Sequence, residues 1–301
     1  MQRYLIVLMG PTAIGKTAMS IALARALHTE ILSADSRQFY KETRIGTAVP
    51  SQEELQQAPH HFIQHHSIHD PYDVGDYEKD ALAKLDEIFN TQSLALLVGG
   101  SGLYVKAVCE GLDNFPQVDP HTRQALNQRL AIHGIASLQQ QLKALDPNYA
   151  QAVDLDNPRR LIRALEVCLT SGKPYSHFLN QPKATRQFTP IKIGLTAPRE
   201  VIYQRIETRI DQMLNNGLLE EAKKLYPFRQ LNALNTIGYK ELFRYLDKEC
   251  SFDTAVAEIK KNTRRFAKRQ LTWFKKEKSI TWFAYDTPLE AMLSFIEQET
   301  A

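Results

Sequence analysis

Residues 10–17 read GPTAIGKT; they directly follow the apolar run YLIVLM and lead into the apolar-faced segment KTAMSIALARALH (16–28). They match G-x-x-x-x-G-K-[ST], the pattern of a phosphate-binding loop between a buried strand and a helix. In such a loop, backbone N–H groups and the helix N-terminus favour an anion, Lys16 adds a mobile positive charge, and the Thr17 hydroxyl can bind Mg²⁺. The chain must therefore contain a strand–loop–helix unit, which is the start of an α/β fold.

The first third of the chain continues this alternation of strand and helix. Strands are predicted at 3–9, 30–34 and 94–98, and an amphipathic helix at 77–89. Ser51 and Glu54 have the spacing of a capping box at the start of another helix. The βαβ order predicts a parallel sheet with helices on both faces, so the fold class is α/β with a P-loop NTPase-like core.

Residues 114–187 break this alternation, because they contain no convincing strand. Helices are predicted at 124–130 and 137–145, and a third helix starts at Pro158, with Asp156 or Asn157 as its cap, and ends at Gly172. A strand at 191–195 resumes the sheet, and 280–285 is a possible last strand. We therefore predict a catalytic core formed by 1–113 and 188–301, and a helical insertion domain at 114–187.

The 301-residue chain shows no apolar run near the roughly 20 residues of a membrane span. The apolar stretch at its N-terminus is too short for a signal peptide and is predicted to be a core strand. The three cysteines have no metal-binding spacing, which favours a reducing cytoplasm. We expect a cytoplasmic monomer.

The ends of the strands LALLV and ILSA bear on whether the loop binds the phosphates of ATP. A P-loop ATPase needs an apolar strand that ends in a metal-binding acid, but LALLVGG ends in glycines. ILSAD instead places Asp35 at the carboxyl edge of the sheet, as a metal ligand, a helix cap or a general base. Ser36, Arg37 and Gln38 follow it, either as a polar loop or as a surface that recognises bases and phosphates.

Positive charge is concentrated in residues 260–278, which hold nine Lys and Arg against one Glu in a chain of net charge +3. Phe266, Trp273 and Phe274 lie among these cations. Nine cations against one acid would repel one another without a polyanion, so we favour a nucleic-acid surface over a solvated helix face with core aromatics. Arg159, Arg160 and Arg163 of the insertion fit either phosphate contacts or ordinary surface charge.

The segment HHFIQHHSIHD (60–70) contains five of the nine histidines. Neighbouring histidines in a strand point to opposite faces, and the segment has no metal-binding spacing. We therefore predict a strand at the edge of a loop and no metal site.

The ordered set of motifs resembles the tRNA dimethylallyltransferase (tRNA isopentenyltransferase) family over nearly the whole chain. The similar segments are GPTAIGKT, SADSRQFY, IGTAVP, PHHFI, LLVGGSGLY, RRLIRALEV, RIETRIDQML, LNTIGYKE and RFAKRQLTWF. The resemblance implies transfer of a dimethylallyl group from its diphosphate to N6 of the adenine 3′ of the tRNA anticodon. The partners are then tRNA and dimethylallyl diphosphate, with Mg²⁺ as cofactor.

The resemblance also implies roles for individual residues. Asp35 is the general base, Thr12 orients the amine or the diphosphate, and Arg209 contacts the diphosphate together with Lys16. The loop that holds the diphosphate consists of Gly10, Pro11, Thr12, Ala13, Ile14, Gly15, Lys16 and Thr17, with Thr17 on the metal. The implied tRNA contacts are Asp35, Ser36, Arg37, Gln38, Ser101, Arg123, Arg159, Arg160, Leu161, Ile162, Arg163, Gly238, Lys240, Arg265, Lys268 and Arg269.

Two features depart from the family pattern. Position 101 is Ser where many bacterial members have Thr, and no Cys and His spaced for zinc follow the basic segment, so we expect the short bacterial form. Three alternatives remain: prenylation of free adenine nucleotides, a P-loop kinase acting on a small metabolite, and a non-catalytic RNA-binding module. The insertion and the basic segment favour tRNA over a free nucleotide.

Overall fold

The computed structural model describes residues 2–182 and 184–301, which form two compact units. The first unit comprises the chain up to Glu110 with Arg186–Ala301, and the second is Gly111–Thr185. The predicted insertion, 114–187, overlaps the second unit. Arg186 belongs to the first unit, where its guanidinium pairs with Glu78 and donates to the carbonyl of Ala107 at 2.7 Å. Met1 and Lys183, which the predicted domains include, lie outside the described residues.

Six parallel strands form one sheet within the described part of the chain. They are β1 (Tyr4–Met9), β2 (Ile31–Ser33), β3 (His60–His61), β4 (Leu94–Gly99), β5 (Thr189–Thr196) and β6 (Thr281–Ala284). Their order across the sheet is β3-β2-β4-β1-β5-β6. The predicted α/β fold with an all-parallel sheet is confirmed, and the histidine-rich segment supplies β3 at one edge.

Helices cover the sheet in the first unit. They are α1 (Lys16–Ala26), α2 (Gln52–Leu55), α3 (Val74–Phe89) and α4 (Gly102–Glu110) before the insertion. After it come α8 (Arg199–Asn215), α9 (Leu218–Leu225), α10 (Tyr239–Leu246), α11 (Phe252–Phe274) and α12 (Leu289–Thr300). The second unit contains α5 (Pro120–Leu145), α6 (Pro147–Ala152) and α7 (Pro158–Ser171).

Strand β1 shows why the sheet is covered on both faces. All six of its residues are buried. Ile6 and Leu8 pack into a core cluster with α1, α8 and α12, whereas Leu5, Val7 and Met9 pack into a second cluster with α3 and α4. Successive side chains of a strand point to opposite faces, so a continuous apolar run needs a helical layer on each side.

The helix caps follow the sequence closely. Ser51 and Glu54 form the predicted capping box of α2. Asp73 caps α3 by accepting from the N–H groups of Gly75 at 2.7 Å and Asp76 at 3.1 Å. Helix α3 therefore starts at Val74, earlier than the predicted start at residue 77, because the turn-like sequence DPYDVGD already contains the cap.

The second unit has its own core, built mainly from leucines of α5 and α7. Element α5 consists of two helices that meet at a kink at the non-helical residue Gly134 (φ 70°), which confirms the helices predicted at 124–130 and 137–145. Helix α7 follows the prediction: Asn157 is its cap, Pro158 is at its first position, and Gly172 ends it at φ 68°.

Candidate active site

The phosphate-binding loop joins the end of β1 to the start of α1. Gly15 lies in the left-handed region at φ 108° and begins the helix. The Lys16 ammonium donates to the carbonyls of Gly10 at 3.0 Å and Pro11 at 2.8 Å, so it is folded over the loop. Burial lowers the pKa of Lys16 to about 8, with an opposing effect from Asp35 and a further lowering by Arg209. A partly desolvated ammonium over a loop of N–H groups is suited to an anion.

Asp35 lies close enough to the loop to interact with Lys16, although β4 runs between their two strands. The glycines that end β4 allow this approach. A Cβ on Gly99 would lie 2.6 Å from the carbonyl carbon of Ala34, much closer than two carbon atoms can pack. A metal-binding acid at the end of β4 would need the space that the segment before Asp35 occupies.

Two arginines of α8 lie at the loop. Arg209 interacts with both Lys16 and Asp35; its pKa is lowered, because burial outweighs the attraction of Asp35. Arg205, one helical turn earlier, donates to the carbonyl of Ala13 at 2.8 Å. Arg205 was not among the predicted site residues, although its i,i+4 spacing from Arg209 places both arginines on one face of the helix.

The segment after Asp35 is held in place by several hydrogen bonds. Asp35 Oδ1 accepts from the N–H of Arg37 at 3.1 Å. The Ser101 hydroxyl accepts from the N–H of Ser36 at 3.3 Å, which brings two predicted tRNA contacts together. The Gln38 amide donates to the carbonyl of Ala48 at 2.9 Å, and the Arg37 guanidinium donates to the carbonyl of Ala233 at 3.3 Å. Both side chains therefore also stabilise neighbouring loops.

Helix α11 presents an exposed basic face. Arg265, Lys268 and Arg269 are exposed, as predicted for phosphate contacts. Trp273 is 47% exposed, whereas Phe274 is buried in the core. The aromatics among the cations are thus divided between the surface and the core.

The argument that these cations lack acidic partners was wrong. Arg264 pairs with Glu207 at 2.7 Å, and Lys260 pairs with Asp211 at 2.6 Å. Both acids belong to α8, which packs beside α11 and is distant from it in sequence. The excess charge available for RNA is therefore smaller than the local count indicates, and exposed cations such as Arg265 and Lys268 carry it.

The arginines of the second unit likewise include some that pair with an acid and some that are exposed. Arg123 and Arg163 both pair with the buried carboxylate of Glu166, at 2.6 and 2.7 Å. Burial would raise the pKa of Glu166, but hydrogen bonds from the two arginines hold it below its ordinary value. These two arginines therefore stabilise the unit, whereas Arg159 and Arg160 are exposed.

Two other predicted contacts in α7 need correction. Leu161 and Ile162 are buried in the core of the second unit, so their side chains pack the unit and do not offer a surface to RNA. Near α10, Gly238 has φ 101° and its N–H donates to Glu241 at 2.9 Å, while Lys240 is exposed.

The donor set at the loop suits a magnesium ion bound partly by a ligand. Thr17 is in the first turn of α1. Lys16, the residue before Thr17, interacts with the carboxylate of Asp35. No group of three or more His, Cys, Asp or Glu that could hold a metal occurs in residues 2–182 and 184–301. Mg²⁺ is usually held by one or two protein oxygens together with substrate phosphates, so the residues present fit it.

The remaining predicted features are placed as follows. His61 contacts Glu30 at 2.6 Å. His65 lies among Phe39, Phe62 and Tyr72, and burial lowers its pKa to about 4. Within the described residues, no helix combines the length and apolarity that a membrane span requires.

Comparison with known proteins identifies relatives along the whole chain. The family model described as IPP transferase matches residues 38–277. The tRNA dimethylallyltransferase of Christiangramia forsetii is 59% identical over 299 residues, which cover 99% of this chain and 99% of that relative.

Solved structures agree with this match. The full-length tRNA isopentenylpyrophosphate transferase of Bacillus halodurans is 37% identical, with a TM-score of 0.73, and the match covers 99% of this chain and 96% of that chain. A eukaryotic dimethylallyltransferase acting on tRNA is 25% identical, with a TM-score of 0.80, over 94% of this chain and 74% of that chain.

Proposed function

Because this chain belongs to the IPP transferase family, we propose that it transfers a dimethylallyl group from dimethylallyl diphosphate to N6 of the adenine 3′ of the anticodon (position 37) in tRNA. The observation that carries the proposal is the meeting of Lys16, Asp35 and Arg209 at one edge of the sheet. Two cations beside a phosphate loop stabilise a departing diphosphate, and a carboxylate next to them can remove a proton.

The leaving group accounts for the positive charge of the site. During transfer, the bond between the allylic carbon and the diphosphate oxygen breaks, and the electron pair leaves with the diphosphate. The backbone N–H groups of residues 13–17, Lys16 and Arg209 stabilise that developing charge. Arg205 stabilises the loop through the carbonyl of Ala13. Thr17 would hold Mg²⁺, which would supply further stabilisation of the leaving group when bound.

Asp35 supplies the general base. The exocyclic amine of adenine is a weak nucleophile, because its lone pair is delocalised into the ring. As the N6–carbon bond forms, Asp35 accepts the N6 proton, while Thr12 orients the amine or the diphosphate. An adenine in a loop must leave its stack to reach this edge of the sheet. Ser36, Arg37, Gln38 and Ser101 would then contact it or the surrounding anticodon loop.

RNA binding is assigned to exposed cations. Arg265, Lys268 and Arg269 on α11, together with Lys240, would contact the phosphates of the anticodon stem-loop. In the second unit, the exposed Arg159 and Arg160 would contact RNA phosphates. Monomeric state, cytoplasmic location and the magnesium requirement stay predictions from the sequence.

One incubation tests the proposed function. The protein, Mg²⁺ and dimethylallyl diphosphate are mixed with an anticodon stem-loop that carries adenine 3′ of the anticodon, and the RNA is analysed by mass spectrometry. We expect one dimethylallyl group on that adenine. A parallel reaction contains ATP in place of the prenyl donor, and another contains AMP in place of RNA. ADP formation, or a prenylated nucleotide without an RNA product, would contradict the proposal.

A further inference from the structure

Gln270 joins the RNA-facing helix to the phosphate loop. It lies on α11, and only 7% of its surface is exposed. Its Oε1 accepts from the N–H of Thr12 at 2.9 Å, and its Nε2 donates to the carbonyl of Gly100 at 2.9 Å. Both ends of the amide are therefore used, one on the loop after β1 and one on the turn after β4.

The turn after β4 is shaped to receive this helix. A Cβ on Gly100 would overlap the Gln270 amide nitrogen, and a Cβ on Gly102 would lie 2.9 Å from Cε2 of Trp273. Gln270 and Trp273 are three residues apart and so share one face of α11. The glycines of GGSG therefore allow the close approach of α11, in addition to making room for the segment that precedes Asp35.

The turn at 99–102 thus connects the phosphate loop, the segment that contains Asp35, and helix α11. Gly100 binds Gln270, and Ser101 accepts from the N–H of Ser36, the residue after Asp35. The loop amide that Gln270 holds belongs to Thr12. On the same helix, the exposed Arg265 and Lys268 precede Gln270 by five and two residues. A displacement of α11 would therefore move the Thr12 amide relative to Asp35.

We propose that Gln270 is a positioning residue that fixes the Thr12 segment of the diphosphate loop against the RNA-binding helix. This inference rests on the proposed function for its catalytic consequence. Both polar atoms of the Gln270 side chain are already bonded to protein backbone groups. Gln270 acts through the Thr12 amide, so its loss impairs the use of bound substrates more than the binding of RNA.

The test uses the full chain and three variants. Gln270→Met keeps the length of the side chain and removes both hydrogen bonds. Gly100→Ala places a methyl group against the amide and displaces it. Thr272→Val is the matched control, because Thr272 is exposed on the same helix and its hydroxyl donates to the carbonyl of Lys268 at 2.9 Å within that helix.

For Gln270→Met we expect kcat to fall about tenfold and the Kd of inorganic diphosphate with Mg²⁺ to rise about tenfold, the size of one lost hydrogen bond. The Kd of the anticodon stem-loop should stay within about twofold of the wild-type value, as should every constant of Thr272→Val. Gly100→Ala should resemble Gln270→Met, and the double variant should be little worse than either single variant.

Two results would overturn the inference. One is an unchanged kcat and diphosphate Kd in Gln270→Met. The other is a parallel loss of RNA affinity, kcat and thermal stability, which would indicate a packing role alone. If Gln270→Met does not fold, Gly100→Ala carries the same test. If the wild type transfers no prenyl group, the proposed function fails, while the diphosphate Kd values still test the role of Gln270.

Discussion

Glu221 accepts a hydrogen bond of 2.6 Å from the phenol of Tyr239. The same carboxylate accepts the backbone N–H groups of Arg44 at 3.0 Å, Ile45 at 2.9 Å and Gly46 at 2.8 Å. Tyr239 is fully buried, and a Cβ on Gly46 would lie 2.6 Å from its Cζ atom. One side chain of α9 thus fixes the loop whose next residues accept hydrogen bonds from the Gln38 amide.

Replacing Glu221 should therefore destabilise the protein more than replacing its phenol partner. Glu221→Gln leaves a single acceptor oxygen and turns an NH₂ group towards donors, so we expect a loss of about 3 kcal/mol in the free energy of unfolding. Tyr239→Phe removes one of the four bonds and should cost about 1 kcal/mol. Urea unfolding of both variants measures the difference, and equal losses would contradict this view of the loop.

Lys16 gives the site a pH dependence. Its pKa is about 8 instead of the ordinary 10.5, chiefly because it is buried. A bound diphosphate favours the protonated form, so binding at pH 8–9 should take up a proton through Lys16. Calorimetry in two buffers of different ionisation enthalpy measures this uptake. Lys16→Arg is the control, because its guanidinium stays protonated, and uptake of the same size in both proteins would contradict the assignment.

The lowered pKa of Lys16 also makes the free energy of unfolding depend on pH. Between pH 8 and 10.5 the unfolded chain holds the Lys16 proton while the folded chain has released it. The unfolded state then binds more protons, so the stability contributed by this group rises with pH in that window. Below pH 8 both states are protonated and burial of the charge opposes folding. The buried Lys16 ammonium therefore destabilises the free protein, and a bound diphosphate compensates by pairing with it.

Much of the fold could be predicted from local sequence. The apolar run of β1, the cap and stop of α7, and the strand ending in Asp35 each depend on neighbouring residues alone. The proximity of Asp35 and Lys16 also followed, because the carboxyl ends of parallel strands meet at one edge. The two helices predicted at 124–130 and 137–145 were also correct, because a kink at Gly134 separates them within α5.

The residues missed in the site have roles set by tertiary contacts. From the local sequence, Gln270 is an ordinary polar residue of a basic helix, and Glu221 is one acid of a charged helix. Thr12 is 258 residues from Gln270 in sequence, and the backbone partners of Glu221 at 44–46 are at least 175 residues from it, so no local periodicity identifies these contacts. The acids of α8 that neutralise part of the basic segment were missed for the same reason.

Asp35 should be needed for transfer and not for RNA binding. Asp35→Ala removes the proposed base, so we expect the transfer rate to fall by roughly 10²–10⁴. The Kd of the anticodon stem-loop should change little. Asp35→Asn is the matched variant, because its side-chain oxygen can still accept from the N–H of Arg37. A rate close to the wild-type value in Asp35→Asn would exclude the role of general base.

Substitutions of two neighbouring arginines of α11 distinguish a role in RNA binding from a role in helix packing. Arg265 is exposed, whereas Arg264 pairs with Glu207 at 2.7 Å and lies over the ring of Tyr203. Arg265→Ala should weaken stem-loop binding and reduce the slope of log K against log salt by about one, because one phosphate contact is lost. Arg264→Ala should leave that slope unchanged and lower the free energy of unfolding by up to about 1 kcal/mol. Salt titrations and urea unfolding of both variants measure the two effects. Equal slopes in the two variants would show that the exposed face of α11 is not the phosphate-binding surface.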